Sequence, residues 1–150
     1  MASSVLTPGS RIRTTRKTVT FTGGAGAGVA GGTVTVFTVT GDVYLHTLTA
    51  KCGTNLGESG ATATVALGTV NQATRFIAAT NSVDIDANEW WVSTTPTAYS
   101  IDLPDAMQSV IIGSGDDIVI TCAVTNTNAG VLNFVVNWEA LSADGNLVAA

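Results

Sequence analysis

The chain has 150 residues, enough for one domain with a substantial core, and 45% of them are hydrophobic against only 11% charged. The net charge is −5, the apolar stretches are short and broken by Thr, Asn and Asp, and the chain has two cysteines. These features exclude a membrane-spanning helix, which needs about 20 apolar residues, and a disulfide framework.

The opening MASSVLTPGSR lacks a basic start followed by an apolar run, so no secretory signal is read there, and with only two unpatterned cysteines synthesis in a reducing cytoplasm is expected. Pro8-Gly9 breaks regular structure and residues 1–12 show no apolar periodicity. Arg11, Arg13, Arg16 and Lys17 are four of the six bases, and no acid precedes Asp42. From residue 18 onward two bases face eleven acids, a balance of −9. Residues 1–17 are therefore expected to form an extended basic arm on an acidic β domain, residues 18–150, and to reach a neighbouring acidic surface. Four positive charges before an acidic body are too few to make nucleic acid the expected partner.

Thr18–Thr22 alternates as a half-buried strand, and the Gly/Ala run 23–32 separates it from TVTVFTVT, residues 33–40. The alternation of that second strand changes phase between Val36 and Phe37, which a β-bulge or burial on both faces explains. Gly41-Asp42 is short enough for a hairpin into Val43–Lys51. Cys52–Gly60 reads as a loop, and Ala61–Leu67 as a small-residue strand. Residues 72–79 carry a weak pattern. Val83–Val92 reads as a strand, and Pro96 and Pro104 mark a long connection. Gln108–Ile112 follows, turned by residues 113–116. Asp117–Val124 and Val131–Leu141 are the clearest strands, with TNTNAG between them supplying hairpin chemistry. No run of ten residues shows a helical period. About eight strands at this spacing predict an all-β fold, a β-sandwich of jelly-roll type built from two four-stranded sheets.

Catalytic patterns are sparse. Gly26-x-Gly28-x-x-Gly31 matches the dinucleotide fingerprint, but strand follows it where the pyrophosphate needs a helix N-terminus. It reads instead as a Gly/Ala loop, flexible or packed where side chains would not fit. The lone histidine, His46, lies in a strand with Tyr44 and Leu48 on its face, and no G-x-S-x-G elbow is present. Cys122 keeps step with Ile118 and Ile120 as a small buried hydrophobe. Asp84, Asp86 and Asn88 would aim three oxygens one way on a strand. The resemblance to a calcium loop fails at Glu89, where Gly is needed, and at Thr95, where Glu is needed. No catalytic residue, metal site or cofactor is expected. Trp90-Trp91 must point to opposite faces of a strand: either one ring is buried and the other caps a sheet edge, or one indole anchors a partner.

Three segments, VTFTGGAGAGVAGGTVTVFTVTGDVYL, NSVDIDANEWWV and NFVVNWEALSADGNL, resemble those of virion proteins encoded by tailed bacteriophages. The resemblance implies a non-enzymatic β-rich head component, a capsid decoration or cement protein on the head exterior that binds the major capsid protein. A homotrimer is the expected assembly. Arg11, Arg13, Arg16, Lys17, Trp90 and Trp91 are its candidate partner-binding residues. A head fibre, vertex spike or tail component is the second expectation, and a carbohydrate-binding β-sandwich the third.

Overall fold

The computed structural model describes residues 11–24, 27–60 and 62–150. Among these residues nine strands form two antiparallel sheets: β1 (Arg13–Thr20), β2 (Thr33–Thr40), β3 (Val43–Glu58), β4 (Thr64–Thr69), β5 (Ile77–Asn81), β6 (Gln108–Ile112), β7 (Ile118–Ala123), β8 (Thr127–Ala140) and β9 (Asn146–Ala149). One sheet has the order β1-β8-β3-β6 and the other β5-β4-β7-β2-β9. Pairing is nested: β1 lies on β8, β2 on β7, β3 on β6 and β4 on β5, each antiparallel. Such pairing folds one long ribbon over on itself and leaves β1 and β6 at opposite edges of the four-stranded sheet.

Period-two alternation explains which side chains fill the space between the sheets. Leu132, Phe134, Val136 and Trp138 of β8 face Ile118, Ile120 and Cys122 of β7 in one continuous core. Each such aliphatic or aromatic side chain contributes about 1.5–3 kcal/mol on burial. The phase change in β2 is a register irregularity between Thr35 and Phe37, and both Val36 and Phe37 are wholly buried. A second irregularity, between Leu45 and Thr47, makes His46 the extra residue in β3. Leu45 and Leu48 are therefore both core, and Leu48 does not share a face with His46 as simple alternation predicts.

Several sequence expectations need correction. Residues 13–17, assigned to the arm, are the first part of β1 and pair with β8 from Trp138 back to Phe134; the first ten residues lie outside those described. Cys52–Glu58, read as loop, continues β3, because its backbone finds partners on β8 despite two glycines. Val83–Val92 is not a strand: Ser82–Asp84 is a 3-10 turn, and the segment then runs beside β3, with Cys52 N–H donating to Glu89 O and Trp91 N–H to Ala50 O, both at 2.8 Å. The expected hairpin at Gly41-Asp42 instead carries the chain from one sheet to the other, and so do residues 124–126, the last four residues of the expected turn 125–130 belonging to β8. Val124 leaves the β7 face with φ 70° and is 68% exposed. The second sheet has five strands because β9 adds to β2.

Gly28, in the Gly/Ala segment, lies against the chain's own backbone. Gly28 has φ 98°, and a Cβ there would sit 2.0 Å from the Thr127 carbonyl oxygen. Its own carbonyl accepts from Thr127 N–H at 2.8 Å. Close backbone approach, not phosphate binding, is why glycine stands at this position of the fingerprint; Gly26 lies outside the described residues.

Candidate functional site

Two lateral edges of the four-stranded sheet hold the exposed residues singled out in the sequence, and a polar face lies between them. At the β1 edge, Arg11, Arg13 and Arg16 are exposed. The Arg13 guanidinium lies 5.5 Å from the Trp138 ring centroid, and Trp138 Nε1 donates to Thr15 Oγ1 at 2.9 Å. Thr15 Oγ1 in turn donates to Leu147 O at 3.2 Å, while Lys17 Nζ donates to Ala150 O, so β1 is fastened to β9 of the opposite sheet. Arg11 and Arg13 line a cleft of about 460 Å³ with Glu139, Ala140 and Leu141. Glu139 Oε1 lies 3.5 Å from His46 Nε2, whereas none of Arg11, Arg13 and Arg16 pairs with a carboxylate among the described residues.

The two tryptophans have separate fates. Trp91 is wholly buried, its Nε1 donating to Thr80 Oγ1 at 3.1 Å, so it is a core residue and not a partner anchor. Trp90 is partly exposed at the far edge, bridged to Lys51 and Thr97, with the Lys51 ammonium 4.8 Å from its ring centroid. Together with Val92, Ile101, Leu103, Thr47 and Thr49 it lines a shallow cleft of about 410 Å³. Lys51 occupies one face of the indole, which leaves a stacking sugar only the other.

Between the edges the outer face of the sheet carries a hydrogen-bonded array of Thr and Asn side chains. Thr14 Oγ1 donates to Asn137 Oδ1 at 2.7 Å and Asn137 Nδ2 to Thr47 Oγ1 at 2.9 Å, a chain across three strands. Thr18 Oγ1 donates to Asn133 Oδ1 at 2.8 Å in the same manner. Ile111, on the edge strand beside Tyr44, is 69% exposed. This face was missed in the sequence, because which polar residues neighbour one another depends on register across β1, β8 and β3.

The remaining candidates resolve as structure. Asn55 Nδ2 donates to Asp86 Oδ1 at 2.9 Å, and Glu89 Oε2 accepts from Asp86 N–H, so these acids brace the turn beside β3. Asn88 adopts φ 71° in that turn, and the strand geometry that would align it with Asp84 and Asp86 is absent. Among the described residues no three His, Cys, Asp or Glu side chains are grouped to hold a metal ion. Both cysteines are buried, and desolvation pushes each thiol's pKa up. Comparison with protein-family models, with curated proteins and with solved structures finds no match to this chain.

Proposed function

We propose that the chain is a non-enzymatic structural protein of a phage virion, a capsid decoration protein that binds the major capsid protein on the head exterior as a homotrimer and stabilises the lattice. The observation that carries this reading is the hydrogen-bonded Thr/Asn array on the outer face of the four-stranded sheet. Its Thr and Asn side chains are already held by one another, so docking freezes few of their rotamers. A freely diffusing monomer gains nothing from such a face, whereas a lattice-bound protein does. The nested order β1-β8-β3-β6 over β5-β4-β7-β2 supports reading the sandwich as a jelly roll, with β9 as an addition. The resemblance of the three sequence segments to phage virion proteins supports the location.

The test is attachment to purified particles. Val135 lies in the middle of this face, opposite Arg16 of β1, and is partly exposed. Val135→Glu should abolish attachment while circular dichroism stays that of the folded sandwich. Quantitative mass spectrometry of particles should give hundreds of copies; a handful per particle would move the protein to a vertex spike, fibre or tail, and unaffected attachment of V135E would reject this face.

A further inference from the structure

We propose that the two lateral edges of the four-stranded sheet dock on each other between copies, the Arg11/Arg13/Arg16 edge of one protomer against the acidic 84–105 segment of the next. The inference deepens the homo-oligomer part of the proposed function and rests on it, but it requires no capsid.

Strand order separates the two edges. β1 lies outermost on one side, and on the other β6 and the 85–91 segment run along β3. Three strand steps of about 4.8 Å divide them, roughly 14 Å, so they cannot meet within one protomer. Their charges are opposite. Among the described residues the first edge presents Arg11, Arg13 and Arg16 without a carboxylate partner, although Glu139 lines the same cleft. The 84–105 segment contains Asp84, Asp86, Glu89, Asp102 and Asp105 and neither Lys nor Arg, with Lys51 held over Trp90 beside it.

Each edge also offers apolar surface. Ile12, between Arg11 and Arg13, is 48% exposed; Ile101, beside Asp102 in the Trp90 cleft, is 43% exposed. An apolar side chain flanked by cations thus matches an apolar cleft flanked by acids. Pairing β1 with a second β1 would set arginines against arginines, which disfavours the two-fold contact open to an ordinary edge strand. Joining unlike edges is a heterologous contact, and where its rotation closes it makes a ring of like-oriented copies.

The experiment uses the purified full chain, with mass read by native mass spectrometry and light scattering, and folding by circular dichroism. The wild type should form a closed oligomer that weakens with salt. Reversing either edge, R11E/R13E or D102K/D105K, should weaken association by about tenfold or more. Reversing both edges in one chain should restore it, an outcome that simple damage to the surface cannot produce. Should one variant fail to fold, the other reads the same contact. A wild type that stays monomeric at its highest soluble concentration, an oligomer indifferent to both reversals, or no recovery in the doubly reversed chain would overturn the proposal. Particle attachment, measured separately, shows whether the capsid-binding reading stands or falls on its own.

Discussion

Trp90 and Trp91 are adjacent in sequence, yet replacing each by alanine should have very different consequences. Trp91 is wholly buried and its indole N–H is satisfied by Thr80 Oγ1 at 3.1 Å. Trp91→Ala leaves a cavity in the core and should cost about 3–5 kcal/mol from packing, with roughly 1 kcal/mol more from the lost hydrogen bond. Trp90 is only partly exposed, so Trp90→Ala loses part of the indole's burial together with the Lys51 contact at 4.8 Å, and should cost about 1–3 kcal/mol. Urea unfolding followed by far-UV circular dichroism separates the two, since fluorescence would change with the indole itself. With a slope of about 2 kcal/mol per M, Trp91→Ala should lower the midpoint by about 2–3 M and Trp90→Ala by about 1 M. Equal losses would refute the assignment of one ring to the core and the other to the surface, and with it the use of Trp90 as a site probe.

Ser82 Oγ and Thr127 Oγ1 are both buried and 2.8 Å apart. Thr127→Val strands the serine hydroxyl and should cost about 1–3 kcal/mol, while Ser82→Ala combined with Thr127→Val should cost less than the two single changes added; chemical denaturation of the three variants checks this. Burial raises the pKa of both thiols above their ordinary 9.0. Below that value they are neutral in both states, and above it the unfolded chain ionises first, so their stabilising contribution is lost as pH rises. The fall in urea midpoint from pH 7 to pH 10 should be smaller in C52A/C122A than in the wild type. Deleting residues 1–17 should destabilise the domain and not merely remove an arm, because it strips most of β1 from beside β8; loss of cooperative thermal unfolding would show it.

The sequence by itself determined the all-β class and most of the core. Alternation at Ile118, Ile120 and Cys122, and at Leu132, Phe134, Val136 and Trp138, identifies inward faces because side chains on a strand reverse sides at every residue. The break at Val36-Phe37 was legible for the same reason. What alternation cannot carry is partnership. Gly41-Asp42 has the chemistry of a hairpin, yet β2 and β3 lie in different sheets, since a turn that reverses the chain is compatible with either outcome. Cys52–Glu58 extends β3 only because β8 supplies hydrogen-bond partners there. The candidate site follows the same division. Its basic residues were visible as a cluster in the sequence, but their place on an edge, opposite the acids of 84–105, depends on strand order. Register alone brings Thr14, Asn137 and Thr47 into one hydrogen-bonded row, across 123 and 90 residues of chain. Contacts that distant in sequence leave no local pattern, so only the tertiary structure decides them.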